Sequence, residues 1–282
     1  MTAPVLHTIP ISHYGERARW ALDRSSVSYE ERHHIQGFSW MAALRASGQK
    51  MLPVLVTEAG EVVAGSERIV RWADERGAAL FPRVSQNERT AAEVEAENEA
   101  ENEEVVTLSK RFADVFGVAT RRFAYDSIFA AGKRALFYNE GRAPPLQAAV
   151  LRRFYRLGQT FATAYLGVRP SDVARALDTV DQVFDEVAER LRDGRRYLVG
   201  DTFSAADLTF AAMAAPCTLP DRYGVTLPPL DELEASARAR VVAWRAHPAG
   251  QFALRLYGER PPPRGRFARP LRVPPRVVDF PA

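Results

Sequence analysis

The chain has 282 residues, of which 46% are hydrophobic, and its formal net charge is +3. This length can bury a large core and predicts two domains, whereas the small net charge gives no support for nucleic-acid binding. The single cysteine, Cys217, excludes internal disulfides and multi-thiolate metal sites. No apolar run reaches the length of a membrane span, and residues 1–5 show no secretory signal, so we expect a cytoplasmic protein away from membranes.

The first 82 residues alternate between strand and helix patterns. In chain order the sequence predicts a strand at 5–9, a helix at 14–24, a strand at 29–34, a short helix at 40–45, a hairpin of strands at 54–57 and 61–64, and a helix at 66–76 ended by Gly77. The order β-α-β-α-β-β-α is the thioredoxin topology.

From about residue 86 the pattern becomes helical, and no convincing strand follows. Long helical stretches are predicted at residues 87–116, 146–166, 170–192, 204–215 and 230–247. We therefore predict an α/β thioredoxin-like domain at 1–82, followed by an all-α helical-bundle domain at 88–258. Residues 259–282 are rich in proline and arginine, and we expect an extended tail that lies over its own chain or over a partner subunit.

The helical half contains a local helix-start signature. Ser204 is predicted to be an N-cap and Asp207 to be the third helical residue, so that each satisfies an N–H group near the other. Phe203 and Leu208 stand where a hydrophobic staple packs. This signature is structural and implies no chemistry.

Leu52-Pro53-Val54-Leu55 and Gly65-Ser66 admit two interpretations of equal weight. If the Leu52–Pro53 bond is cis, the backbone of Leu52 can pair with an extended peptide, and Ser66 with the following N–H groups can hold a carboxylate. The alternative is an ordinary turn between two strands.

Four motifs together resemble the cytosolic glutathione S-transferases. Residues 12–22 resemble the first helix of that family, Leu52-Pro53-Val54-Leu55 its cis-proline loop, residues 65–69 the start of its third helix, and residues 203–207 its helical capping box. The match covers most of the chain. It implies that the first domain binds a thiol, that the helical domain binds an electrophilic small molecule, and that the protein is a homodimer.

The resemblance also implies a binding site for glutathione as co-substrate. The residues that it assigns to this site are Lys50, Leu52, Pro53, Gly65, Ser66 and Glu67. Most family members carry Glu or Asp where this chain has Gly65, and the carboxylate of that residue binds the free amino group of the ligand. Glu67 is the candidate substitute. Loss of a charged hydrogen bond costs roughly 1.5–3 kcal/mol, which corresponds to about ten- to a hundred-fold in the dissociation constant.

Ser12 stands where serine-type members of the family carry the catalytic hydroxyl. A hydroxyl hydrogen bond and a helix N-terminus can lower a thiol pKa toward ambient pH and so create a nucleophile. Ser12 can instead be simply the N-cap of the first helix. His13 and Tyr14 are weaker catalytic candidates, and Tyr14 is favoured as a packing residue.

Two functions from different classes remain open. One is an enzyme that conjugates glutathione, or a related thiol, to an electrophile in the manner of a detoxification transferase. The other is a non-catalytic binding or interaction protein of the same fold, which Gly65 favours. No metal site is predicted, because His7, His33 and His34 are scattered in the sequence without carboxylates at ligand spacing.

Overall fold

The computed structural model describes residues 3–35, 38–48, 50–82, 91–131 and 144–267. The first half forms β1 (Val5–Thr8), α1 (His13–Arg24), β2 (Tyr29–His33), α2 (Ser39–Ser47), β3 (Val54–Val56), β4 (Val62–Ala64) and α3 (Ser66–Ala73). A π-helical turn, Asp74–Ala78, follows α3, and Gly77 lies within it at a φ of 86°. The predicted order of elements in this half is confirmed.

The second half is mostly helical. Its described helices are α4 (Ala91–Arg111), α5 (Gly117–Ala131), α6 (Pro145–Arg153), α7 (Tyr155–Leu166), α8 (Pro170–Arg190), α9 (Ala205–Thr218), α10 (Ala235–Ala246) and α11 (Pro248–Gly258). A π-helical turn at Phe112–Phe116 joins α4 to α5, and a short 3-10 helix lies at Leu230–Glu232. The helix predicted at residues 146–166 is in fact two helices, because the backbone leaves helical geometry at Phe154.

The sheet contains one strand that the sequence analysis did not predict. Residues Gly265–Phe267 of the tail form β5, which pairs in parallel with β2. The strand order is β4-β3-β1-β2-β5, with β1 parallel to β2 and antiparallel to β3. The expectation that no strand follows residue 86 was therefore wrong, and this part of the tail lies on its own chain.

Helix α9 is the centre of the helical half. Its small side chains, mostly alanine, let α1, α4, α5, α10 and α11 approach closely, and all of its residues except Pro216 are buried. Phe210 stacks on Phe116 with ring centroids 5.5 Å apart. Because α9 packs against both α1 and the other helices, it connects the core of one half to that of the other.

The predicted start of α9 is confirmed. The Ser204 hydroxyl accepts a hydrogen bond from the Ala206 N–H at 3.3 Å, and the Asp207 carboxylate accepts one from the Ser204 N–H at 2.8 Å. Asp207 also accepts one from the Leu198 N–H at 2.8 Å. This carboxylate therefore holds the preceding loop as well as the helix.

The tail is tied to α1 by a buried ionic cluster. Arg260, only 3% exposed, pairs with Glu16 and with Asp23, the second at 2.8 Å. Glu16 also accepts hydrogen bonds from the Gly224 N–H at 3.1 Å. A Cβ at position 224 would lie 2.7 Å from Glu16 Oε2, so only glycine allows this approach.

Candidate thiol and substrate site

The sheet register places the predicted site residues at one end of the first domain. β1 and β3 are antiparallel with His7 opposite Val54, so Pro53 and Leu52 come next to the end of β1, from which the chain continues to Ser12. The Leu52–Pro53 bond is cis, as the site interpretation requires. The Gly65 N–H donates to the Pro53 carbonyl at 3.0 Å, which fixes the start of α3 beside this turn. Lys50 precedes the turn with an exposed side chain.

Ser12 caps α1. Its hydroxyl oxygen accepts a hydrogen bond from the Gly15 N–H at 3.2 Å, and its side chain is half-buried. The N-cap interpretation is therefore confirmed. It does not conflict with a catalytic role, because a hydroxyl that accepts one hydrogen bond retains its own proton for donation.

His13 and Tyr14 are turned toward the helical half. His13, 4% exposed, donates from Nε2 to the Gly117 carbonyl at 2.9 Å, and burial lowers its pKa to about 3. The Tyr14 hydroxyl donates to the Ala113 carbonyl at 2.7 Å, and burial raises its pKa. Both side chains thus hold α1 against the segment that joins α4 to α5.

Gly65 has a backbone conformation that favours glycine. Its φ of 92° and ψ of 144° lie outside the regions that L-residues ordinarily adopt. It immediately precedes Ser66, which is only 7% exposed, and Glu67, which is exposed. Because position 65 is glycine and not Glu or Asp, the backbone adopts this conformation without strain.

A Gly65→Ala variant tests this conformation. Space is open around position 65, so the expected loss of stability, about 1–3 kcal/mol, comes from the backbone alone. The measurement is urea unfolding of the purified variant. The matched control is Gly258→Ala in α11, where space is also open but φ is not positive; there we expect no loss. Equal stability of both variants would contradict the expectation.

Arg17 lies beside Ser66, although the sequence analysis did not select it as a site residue. The residue is 2% exposed, and its Nη1 donates to the Ser66 hydroxyl at 3.4 Å. Among the described residues its Nε has no hydrogen-bond partner. The sequence shows a basic residue one turn into α1, but only the packing of α1 on α3 brings it to Ser66.

An apolar cavity of about 90 Å³ lies between the loop that precedes α1 and the helical half. Ile11 contributes to its wall, and the Tyr223 hydroxyl donates to the Ile11 carbonyl at 3.1 Å. The other walls come from α5, the end of α9 and the following loop, and include Phe123, Ile128, Pro216, Leu219 and Leu227. Sequence reasoning did not find this wall because its residues are distant in the chain.

Three histidines that look scattered in the sequence come together in the sheet. His7 Nδ1 lies 2.9 Å from His34 Nε2, and the two rings stack with centroids 5.2 Å apart. His33 lies 3.1 Å from Glu31. In the part of the chain that the structure describes, no group of three or more His, Cys, Asp or Glu side chains is arranged to hold a metal.

No helix among the described residues has the length and apolar character needed to cross a bilayer.

Comparison with curated proteins finds no match. Solved structures with a similar fold include a glutathione S-transferase from Rhodospirillum rubrum, with 19% identity over 89% of this chain and 91% of that one and a TM-score of 0.51. Another is a theta class glutathione S-transferase from Xanthomonas axonopodis with glutathione bound, with 17% identity over 90% and 98% and a TM-score of 0.51.

Two family models match the two halves of the chain. The glutathione S-transferase N-terminal domain matches residues 6–79, and the glutathione S-transferase C-terminal domain matches residues 170–247. The first match includes Ser12, Pro53 and Ser66, and the second includes the α9 capping box. With the sheet followed by helices, these matches show that the chain belongs to the glutathione S-transferase family.

Proposed function

We propose that this protein is a transferase that joins the sulfur of glutathione, or of a related thiol, to a small apolar electrophile. The observation that carries the proposal is that Ser12 directly follows Ile11, which lines the apolar cavity, while the register of β1 against β3 brings the end of β1 beside the turn at Leu52–Pro53. We infer that the Ser12 hydroxyl donates to a thiol held at this turn while an electrophile occupies the cavity. The structural neighbour from Xanthomonas axonopodis, which has glutathione bound, supports the proposal that this chain binds a thiol.

The reaction follows from the groups at this position. The thiol loses its proton to solvent, and the thiolate is stabilised by the Ser12 O–H and by the N-terminus of α1. The thiolate then attacks an electrophilic carbon, so that a C–S bond forms. A leaving group departs with its electron pair, or, in an addition, the electrons move to a conjugated acceptor that takes up a proton. Ser12 forms no covalent bond.

The backbone of Leu52 is proposed to pair with the peptide of the thiol, while Ser66 and the N–H groups of the first turn of α3 hold its terminal carboxylate. Lys50, Gly65 and Glu67 complete this proposed site. The apolar cavity excludes water from the electrophile, which strengthens the electrostatic interactions of the thiolate.

A Ser12→Ala variant tests the catalytic role. We expect kcat to fall about 10- to 100-fold and the pKa of the bound thiol to rise by about 1–2 units, because the donor to the thiolate is lost. KM for the thiol should change little, since Ser66 and Leu52 remain. The measurements are steady-state kinetics with an electrophilic aromatic substrate and a pH titration of thiolate absorbance.

Ser12→Thr is the matched control, because threonine keeps both the helix cap and the hydroxyl. It should retain the thiol pKa and most of the activity. Unchanged turnover in Ser12→Ala would exclude Ser12 as the catalytic group. Thiol binding without turnover in the wild-type protein would favour the second candidate, a non-catalytic binding protein.

The homodimer is likewise a proposal. α3 carries exposed Arg68 and Arg71, and α4 carries exposed Glu99 and Glu103, so the two helices offer opposite charges to a second copy. Sedimentation velocity at low and high salt tests the contact. A cytoplasmic location agrees with the proposed use of a reduced thiol.

A further inference from the structure

Arg17 is a buried cation for which the described residues supply no ion-pair partner. Among the described residues no carboxylate lies within the 4.0 Å of an ion pair, and its one hydrogen bond is the 3.4 Å contact with the Ser66 hydroxyl. Burial lowers its pKa to about 10, so it remains protonated at neutral pH. A buried charge without a partner costs stability and is therefore a candidate for ligand binding.

The N-terminus of α3 adds positive potential at the same place. Gly65, its N-cap, has no side chain, so no side-chain oxygen caps the helix. The first N–H groups of a helix attract anions, and Ser66 is the first residue of α3. Two independent features, the unpaired Arg17 and the uncapped helix, thus point to an anion beside Ser66.

The charges around Arg17 do not supply the counter-charge. Glu67 and Asp114 act on Arg17 from a distance, and Arg71 opposes them. Glu67 is exposed, so solvent screens it. A ligand carboxylate could therefore contact the guanidinium where none of the described carboxylates does. A ligand ammonium group beside that carboxylate would be repelled by Arg17, and position 65 offers no acidic side chain to bind it.

We propose that this pocket selects thiols that end in a carboxylate without an ammonium group beside it, and that Arg17 is the residue that determines this specificity. The inference rests on the proposed function, since it concerns the same thiol site. The preferred thiol would therefore differ from glutathione, whose γ-glutamyl group carries a carboxylate and an ammonium on the same carbon.

The experiment compares two reduced peptides by calorimetric titration at neutral pH. They are glutathione and glutaryl-cysteinyl-glycine, which lacks only the ammonium group. The full-length protein should bind the glutaryl peptide at least about ten-fold more tightly. Arg17→Met should weaken the binding of the glutaryl peptide by about ten-fold or more and abolish the preference for it over glutathione. Arg17→Lys, which keeps the charge, should retain that preference.

Thermal unfolding of the same variants separates ligand binding from structural support. Arg17→Met should raise the unfolding midpoint, because it removes a buried unpaired charge, whereas a structural arginine would lower it. Gly65→Glu should shift the preference toward glutathione, because its carboxylate can receive the ammonium group.

Tighter or equal binding of glutathione by the wild-type protein would overturn the selectivity, as would a preference that survives in Arg17→Met. If equal binding is accompanied by turnover that depends on Ser12, the inference fails and the proposed function stands. If neither peptide binds at low-millimolar concentration, both fail. A marked preference for the glutaryl peptide without turnover leaves the inference supported and the transferase proposal refuted.

Discussion

Replacing Arg260 with methionine is expected to lower the free energy of unfolding by about 3–5 kcal/mol, the usual cost of removing one partner from a buried ion pair. Glu16 and Asp23, both fully buried, would be left without their shared cation. Methionine fills most of the volume of the arginine stem, so the loss reports mainly the charge. Urea unfolding followed by circular dichroism measures it.

Arg266 provides the matched control. It lies in β5, six residues further along the chain, and its side chain is exposed. Arg266→Met therefore removes an arginine from the same segment and leaves the buried ionic cluster around Arg260 intact. We expect a change within about 0.5 kcal/mol. Combining Arg260→Met with Asp23→Asn should recover part of the loss, because fewer buried charges then remain unpaired. A cost below about 1 kcal/mol for Arg260→Met would mean that the tail does not occupy this position in solution.

Acidification should destabilise the protein through His13 well before its carboxylates are protonated. The pKa of His13 is about 3 in the folded protein, against an ordinary value of 6.5. The unfolded chain therefore binds a proton below pH 6.5 that the folded chain excludes. The stability that His13 contributes is complete above pH 6.5 and is lost as the pH falls toward 3, by about 2–3 kcal/mol between pH 7 and 4.5.

Two further histidines act in the same direction. Burial lowers the pKa of His34 to about 4 and also lowers that of His7, which lies against it. The histidines of the sheet thus add to the slope between pH 6.5 and 4. The measurement is urea unfolding at half-unit steps of pH across this range.

His13→Gln isolates the first contribution. Glutamine keeps an N–H donor for the Gly117 carbonyl but does not titrate, so the slope between pH 6.5 and 4.5 should decrease by about 1 kcal/mol per pH unit. Tyr14→Phe is the control from the same interface. It removes the hydrogen bond to the Ala113 carbonyl and should lower stability equally at every pH in this range. A slope unchanged by His13→Gln would refute the assignment.

The sequence predicted the elements whose signals are local. The hairpin around Gly60, the Ser204–Asp207 capping box and the start of α3 are each encoded within a few residues, and the structure confirms them. Helix α11 was missed because Pro248 looks like the end of the preceding helix. In the structure it opens a new helix, since proline is well suited to the first turn.

The sequence could not predict what depends on distant segments. β5 forms only because β2 offers an open edge, and the three residues Gly265–Phe267 have little strand character of their own. Helix α5 begins at Gly117, a residue that disfavours helices, and tertiary packing overrides that preference. Arg17 and the apolar cavity likewise require contacts between α1, α3 and the helical half that no spacing in the sequence specifies.

The attachment of the tail has a consequence for synthesis. In many two-domain proteins the N-terminal domain folds while the rest of the chain is still on the ribosome. Here Arg260 joins Glu16 across 244 positions, and β5 adds an edge strand to the sheet beside β2. Asp23 and the edge of β2 therefore lack these partners until residues 260–267 have been synthesised, so the first domain is completed only after the helical half has been made.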